Sequence, residues 1–432
     1  MKMTTTNRFF LGVWAFFWML GVSAIEPTIS DISVRQCWPW SRKVNIDYVL
    51  TCDSDQHVDV QLTAQNGSTA LTLPDASLSG DLYGVTVGKR RIVWDPMKSD
   101  YTNASLTQFS VALAVVTNIP IYMIVDLTKS AGTEGQFQYV YSGDSRLAAD
   151  GSWHSLTNDM SYMTTNLVLR RVTAGSYMMQ GNTSVRLTKD FYVGVFEVTQ
   201  WQWYKVTGGW KGTFGNSAYR NTRPVESVKY DEIRGATNST SAIDWPTTEY
   251  TVSSDSFMGK LRTQTGLVFD LPTEAQWEYA CRAGTMTYYN DGLGTPPNVN
   301  SNEQINVLGR YAYNGGQSWV YKDGVWQWHN ALDWPFSGPT NGTALVGSYL
   351  PNAWGLYDTH GNVYEFCLDW SNSSVVGGDD PAGLSSSAYV QRVIRGGSRW
   401  TSGSSCSSSA RTRQASTTAS DSTGFRLVRV LP

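Results

Sequence analysis

Five cysteines and four histidines hold most of the side-chain chemistry open to this chain. His57, His154, His329 and His360 are scattered, with no i, i+4 pair and no Cys-x-x-Cys companion, so no zinc or iron site built on imidazoles is expected. Cys37, Cys52, Cys281, Cys367 and Cys406 are an odd set, which leaves one thiol free or paired in trans even where disulfides are permitted. Cys37 and Cys52, 15 residues apart, could staple two strands, although spacing alone does not bring them together. A third texture points to recognition. From Thr401 to Thr423 the chain is dominated by Ser, Thr and Ala, and Trp354, Trp370 and Trp400 are near enough to share a surface with it. Small hydroxylated residues beside rigid aromatics have the composition of adaptable binding loops.

The elements that must position these residues fall into two textures. Between Ile25 and about Asn118, runs such as Val44-Asn45-Ile46-Asp47-Tyr48-Val49 and Val58-Asp59-Val60-Gln61-Leu62 alternate with period two, and Asn66-Gly67-Ser68 and Asp95-Pro96 punctuate them. That pattern predicts an all-β sandwich over 25–118 with no chemistry of its own. A connector over 119–166 follows, with one strand-like run at Ile121-Tyr122-Met123-Ile124-Val125. From Leu167 the chain is rich in Trp, Tyr and Gly and predicts a loop-dominated domain with small helices. Thr199 and Thr273 each precede a Gln by three residues, the capping-box spacing that marks a helix start. The helix after Thr273 is expected to stop at Gly284, and a third helix near Phe257 to Thr265 is expected to end at Gly266.

Residues 1–24 read as a secretory leader: Lys2 and Arg8 precede the apolar stretch Phe9 to Leu20, and Val22-Ser23-Ala24 supplies small residues for cleavage. The apolar stretch is shorter than the roughly 20 residues that span a bilayer, and no later segment is long and apolar enough to do so. Removing the leader takes the formal charge from −3 to −5. A mildly acidic chain without a basic cluster argues against nucleic acid or anionic lipid as a partner. The 408 residues that remain of 432 are too many for one core, so two domains are expected. Asn66, Asn103, Asn182, Asn238, Asn341 and Asn372 stand in Asn-x-Ser/Thr sites, which matter only in a eukaryotic secretory route.

Several ordered blocks of the second domain resemble the formylglycine-generating-enzyme, or sulfatase-modifying-factor, family. They are Gly175-Ser176-Tyr177-Met178-Met179-Gln180-Gly181, Phe191-Tyr192-Val193-Gly194-Val195-Phe196-Glu197-Val198-Thr199 and Arg223-Pro224-Val225-Glu226-Ser227-Val228, then Leu271-Pro272-Thr273-Glu274-Ala275-Gln276-Trp277-Glu278-Tyr279-Ala280. Gly355-Leu356-Tyr357-Asp358-Thr359-His360-Gly361-Asn362-Val363-Tyr364-Glu365-Phe366, Arg395-Gly396-Gly397-Ser398 and Gly424-Phe425-Arg426 complete the order over 167–432. The resemblance implies an α+β, C-type-lectin-like fold with little regular structure.

It also implies a calcium site at Asp358, Gly361, Val363 and Glu365, where two carboxylates and two backbone carbonyls offer the all-oxygen set a hard cation prefers. A second family calcium site near Asn300 to Asn314 does not align cleanly, and no ligand is assigned there. The competing reading is that the carboxylates cap turns. His360 is expected to serve a turn.

In the family's enzymes two cysteines five positions apart follow the Gly-Gly-Ser block and bind copper(I) to oxidise a substrate cysteine. Here the first position is Thr401 and only Cys406 matches the second. A hydroxyl is a poor ligand for a soft metal, so copper is not expected, and Cys406 is catalytic only if the family's activity survives its missing partner. Cys281 and Cys367 sit in blocks of structural character. Arg411 matches an arginine kept by non-catalytic members, with anion recognition or an internal salt bridge as its two readings.

The Ser/Thr/Ala segment has the composition of a disordered linker, yet it joins two blocks of the fold and so is expected to be ordered. Its position and composition resemble the segments that diversity-generating retroelements mutate in proteins of this fold. The expectation is a secreted, periplasmic or cell-surface protein that binds a protein or glycan ligand through Arg399, Trp400, Thr401, Ser404, Ser405, Arg411 and Arg413. The alternative is a formylglycine-generating oxidase, and a weaker one a structural envelope or adhesive domain. Oligomeric state is not legible.

Overall fold

In the computed structural model the described residues run from Ile25 to Leu431, leaving out short stretches of which the longest are 236–250, 331–341 and 384–390. The expected leader lies outside them, as do His57, His154 and the sequons at Asn103, Asn238 and Asn341. Among the described residues no helix is long and apolar enough to cross a membrane, and all five cysteines are unpaired.

The period-two runs form strands. Val44–Thr51 buries every second side chain, and with Thr28–Gln36, Gly88–Trp94 and Leu78–Gly80 it builds a four-stranded antiparallel sheet. Asp59–Asn66 pairs with Thr69–Leu71 and Phe109–Val116 in a three-stranded sheet. Both sheets feed one apolar cluster, in which Ile46, Leu50, Val58, Ile92 and Trp94 are buried and Leu113 and Val115 pack from the second sheet.

The segment 119–166 is not a connector. Pro120–Asp126 and Phe137–Tyr141 are strands of a six-stranded sheet, in the order Phe269–Asp270, Val428–Arg429, Phe191–Gly194, Asn166–Val172, Pro120–Asp126, Phe137–Tyr141. Ile121 to Val125 is a continuous apolar run because this strand is covered on both faces, and its Cα partners lie in Asn166–Arg170. A second sheet of four strands, Arg411–Ala415, Gln391–Arg395, Tyr364–Trp370 and Thr423–Gly424, carries the site.

The three expected helices are present. Helix α1 (Gln200–Thr207) and helix α4 (Glu274–Arg282) open on full capping boxes at Thr199 and Thr273; α2 (Tyr230–Arg234) and α3 (Phe257–Thr265) lie between them, and α3 ends on left-handed Gly266. Helix α4 stops one residue earlier than expected, because Ala283 takes the left-handed cap position at φ 45° before Gly284.

The domains meet at a buried ion cluster. Arg171 donates to both oxygens of Asp59 in the N-terminal domain at 2.6 Å each and to Asp190 at 2.9 Å, and the Gly84 N–H donates to Asp59. Bidentate geometry with the remaining lone pairs occupied is what makes a buried ion pair tolerable.

Candidate functional site

The turn at Gly396-Gly397-Ser398 sets the site's geometry. Both glycines have positive φ, and a Cβ on Gly397 would come within 2.5 Å of Cys406 Sγ, so the turn and the cysteine fit only without a side chain there. The Ser/Thr/Ala segment is ordered: a 3-10 turn at Gly403–Cys406, then Arg411–Ala415 paired antiparallel with Gln391–Arg395, then Thr423–Gly424 parallel to Tyr364–Glu365.

Cys406 is fully buried among Tyr289, Ile305, Leu308 and Tyr311. Burial pushes its thiol up to about 12, so it stays protonated at neutral pH. Thr401 Oγ1 lies 3.5 Å from its sulfur and is itself engaged with Ser398, where it accepts from the backbone N–H at 2.9 Å. Cys281 and Cys367 belong to a separate interior cluster with Trp277 and Val393, and burial raises both thiols. They do not join Cys406.

His360 bridges the two loops. Its Nε2 accepts from the Asn290 N–H at 3.2 Å, which leaves Nδ1 as the donor to the Cys406 carbonyl at 2.6 Å. Burial lowers its pKa to about 4, consistent with a neutral, structural imidazole.

Of the expected calcium ligands, Asp358 and Glu365 lie in one buried polar cluster that also contains Glu197, which the sequence reading missed. Glu197 accepts from Asn362 Nδ2 at 2.6 Å and from the Val363 N–H at 3.0 Å. Asp358 has positive φ (57°), accepts from the Gly347 N–H through Oδ2 at 2.7 Å, and has its Oδ1 buried with no hydrogen-bond partner. Glu365 takes two bonds from Arg426, at 2.7 and 2.9 Å, and one from the Trp277 indole at 2.7 Å. Arg426 also donates to the carbonyls of Gly194, Val195 and Tyr357.

Three buried carboxylates therefore share one guanidinium. Burial and the neighbouring carboxylates push Glu197 well up, and burial brings Asp358 to about 6. The orphaned Asp358 oxygen and the surplus of negative charge suit a cation. Among the described residues no group of three or more His, Cys, Asp or Glu side chains is placed to hold a metal by itself, so a cation here would depend on the Gly361 and Val363 carbonyls. Glu365 has about one of its four lone-pair positions left for it.

The expected ligand surface divides in two. Arg399 is buried, paired with Asp421 at 2.7 Å and stacked between Phe214 and Trp400, each centroid 4.6 Å from its guanidinium. Arg411 holds Glu274 in a bidentate pair at 2.7 and 2.8 Å. Each of these arginines is held by a carboxylate, Arg399 by Asp421 within the same segment and Arg411 by Glu274 of α4, 137 residues away, as a role in the fold requires. Trp370 is likewise interior, under Arg392 at 3.4 Å. Trp400, Thr401, Ser404 and Ser405 are half-buried, with Ser404 donating to Asn300 at 3.0 Å. The exposed face lies further along, at Thr412, Arg413, Thr417 and Thr418; only Arg413 of these was expected by name, and because the strand Arg411–Ala415 exposes the consecutive pair Thr412 and Arg413, period-two alternation gives no signal for it.

Residues 156–431 match the family described as Sulfatase-modifying factor enzyme 1-like domain. The chaperone protein LppX of Paenibacillus barcinonensis is 27% identical over 208 residues, covering 42% of this chain and 62% of the relative. The formylglycine-generating enzyme of Streptomyces coelicolor is 35% identical over 170 residues, covering 36% of this chain and 45% of the enzyme. The chain thus spans less than two-thirds of either relative. Among solved structures, Treponema denticola variable protein 1 superposes with a TM-score of 0.43 at 20% identity, covering 62% of this chain and 96% of that one. PvdO from Pseudomonas aeruginosa gives 0.42 at 21%, covering 61% and 95%.

Proposed function

Because the chain belongs to the sulfatase-modifying factor enzyme 1-like family, we propose that it is a non-catalytic, ligand-binding member of it, exported to the periplasm, cell surface or medium. The observation that carries this reading is the pair at the Gly-Gly-Ser turn: a buried, protonated Cys406 with a threonine hydroxyl 3.5 Å away where a second sulfur would stand. One sulfur and a neutral hydroxyl do not make a bis-thiolate copper site. A relative named as a chaperone is compatible with a binding role. The test is direct: copper-loaded protein incubated with a sulfatase-motif peptide gives no aldehyde by mass spectrometry. Aldehyde formation abolished by Cys406→Ser would establish the oxidase instead.

The recognition surface on this reading is the half-buried rim at Trp400, Thr401, Ser404 and Ser405 together with the exposed face at Thr412, Arg413, Thr417 and Thr418. If it is diversified, the same locus in different isolates varies at these positions while Gly396, Gly397, Gly424 and Phe425 stay fixed. Uniform sequence from Arg399 to Thr423, with differences spread evenly elsewhere, would refute diversification.

Calcium at Asp358 and Glu365, with the carbonyls of Gly361 and Val363, is part of the same proposal. A cation that binds only the folded chain stabilises it by about 2.7 kcal/mol at a hundred times its dissociation constant. Chelation is therefore expected to lower the melting temperature by several degrees, and Asp358→Ala to abolish that response. Equal melting in excess calcium and in chelator would remove calcium from the proposal.

A further inference from the structure

The N-terminal domain was expected to carry no chemistry, yet it holds a groove of about 510 Å³ between the strand Thr28–Gln36 of one sheet and Phe109–Val116 of the other. That volume lies in the range of small-molecule sites, roughly 300–1,000 Å³. Trp94 lines it, 2% exposed, stacked on Phe109 at 5.1 Å and edge-on to Tyr101 at 6.1 Å. Its indole N–H is buried with no hydrogen-bond partner. The donor is itself closed to solvent, so Trp94 gives the groove an apolar aromatic wall.

The rim adds a second, independent observation. Gln36 and Arg42 both line the groove, so the loop between them rises from its edge, and that loop presents Trp38 at 64% and Trp40 at 90% exposure. Two tryptophans held in water next to a groove are costly unless something covers their faces.

The polar groups indicate what that is. Gln36, Thr102, Ser105 and Thr107 line the groove, and hydroxyls and amides each both donate and accept, which matches a ligand whose own groups do the same. A carboxylate or phosphate would call for donors alone and a concentration of positive charge, whereas this chain is net negative at −3 and the groove is lined by a single cation, Arg42, already donating to the Thr102 carbonyl at 3.2 Å. We propose that this groove is a binding site for a neutral saccharide, with the Trp38 and Trp40 faces stacked on sugar C–H surfaces and the Gln36, Thr102, Ser105 and Thr107 side chains exchanging hydrogen bonds with its hydroxyls. The site is separate from the Gly-Gly-Ser turn and independent of the role assigned there.

The full chain would be run in native gels cast with soluble neutral polysaccharides (hydroxyethyl cellulose, xylan, mannan, β-1,3-glucan and starch), and binding quantified by tryptophan fluorescence with the matching oligosaccharides. Retardation by at least one is expected. Trp40→Ala and Trp38→Ala should each weaken binding about tenfold, the equivalent of one aromatic stacking contact, without moving the melting temperature, since both side chains are exposed. No retardation by any neutral glycan would overturn the proposal. So would binding that survives both substitutions, binding confined to anionic polysaccharide and abolished by salt, or capture of an extended peptide along Thr28–Gln36 in place of sugar.

Discussion

Thr401→Cys should bind about one equivalent of copper(I), in competition with a chromogenic copper(I) chelator, where the unmodified protein binds none. The argument is one of coordination. Thr401 Oγ1 already sits 3.5 Å from Cys406 Sγ, and Thr401 is half-buried while Cys406 is fully enclosed, so a sulfur in place of the hydroxyl would be both near its partner and the more accessible of the two. The Cys406 proton, held by burial at a pKa of about 12, is displaced when a soft metal takes the sulfur. Losing a direct ligand costs more than the roughly 10–100-fold that follows loss of a supporting contact, so the difference between the two proteins should exceed that range. Thr401→Ser is the control and should remain copper-free. Tight copper(I) binding by the unmodified protein, lost in Cys406→Ser, would contradict the reading and favour an oxidase. Equal and weak binding by all variants would show that the turn cannot present two sulfurs to one ion.

The parts of the fold legible in the sequence are those governed by local rules. The capping boxes at Thr199 and Thr273 and the left-handed Gly266 depend on residues within one turn of each other, and the helices begin and end accordingly. The strand at Pro120–Asp126 was visible as an apolar run, but its membership of the second domain was not, because its partner Asn166–Val172 lies some 40 residues on and no periodicity encodes pairing across that distance. The site divided along the same line. Thr401 and Cys406 were located by their spacing from the Gly-Gly-Ser block, whereas Arg399 read as part of the ligand surface and Arg411 stayed open between anion recognition and an internal salt bridge until the partners Asp421 and Glu274 were in place. Glu197 gave no signal at all. A carboxylate in a strand-like block looks solvated, and only the fold brings it to Asn362 and Val363, 165 and 166 residues away.

That cluster sets the second large effect. Arg426→Met should destabilise the protein by about 3–5 kcal/mol, the usual cost of removing one partner from a buried ion pair. Against a total stability of about 5–15 kcal/mol this is a large share. The substitution leaves Glu365 without its two guanidinium bonds, frees the carbonyls of Gly194, Val195 and Tyr357, and leaves Glu197, Asp358 and Glu365 with no cation among them. Two further measurements separate charge from packing. Adding Glu365→Met to Arg426→Met removes one stranded carboxylate, so the double variant should lose clearly less than the sum of the two single losses, a coupling that residues in direct contact show at about 0.5–3 kcal/mol. Calcium should also raise the melting temperature of Arg426→Met more than that of the unmodified chain, because the ion would replace the missing positive charge beside the orphaned Asp358 oxygen. Urea denaturation that places Arg426→Met within about 1 kcal/mol of the unmodified protein would show that the cluster is already neutralised by protonation, with Glu197 and Asp358 carrying their protons at neutral pH and no cation required.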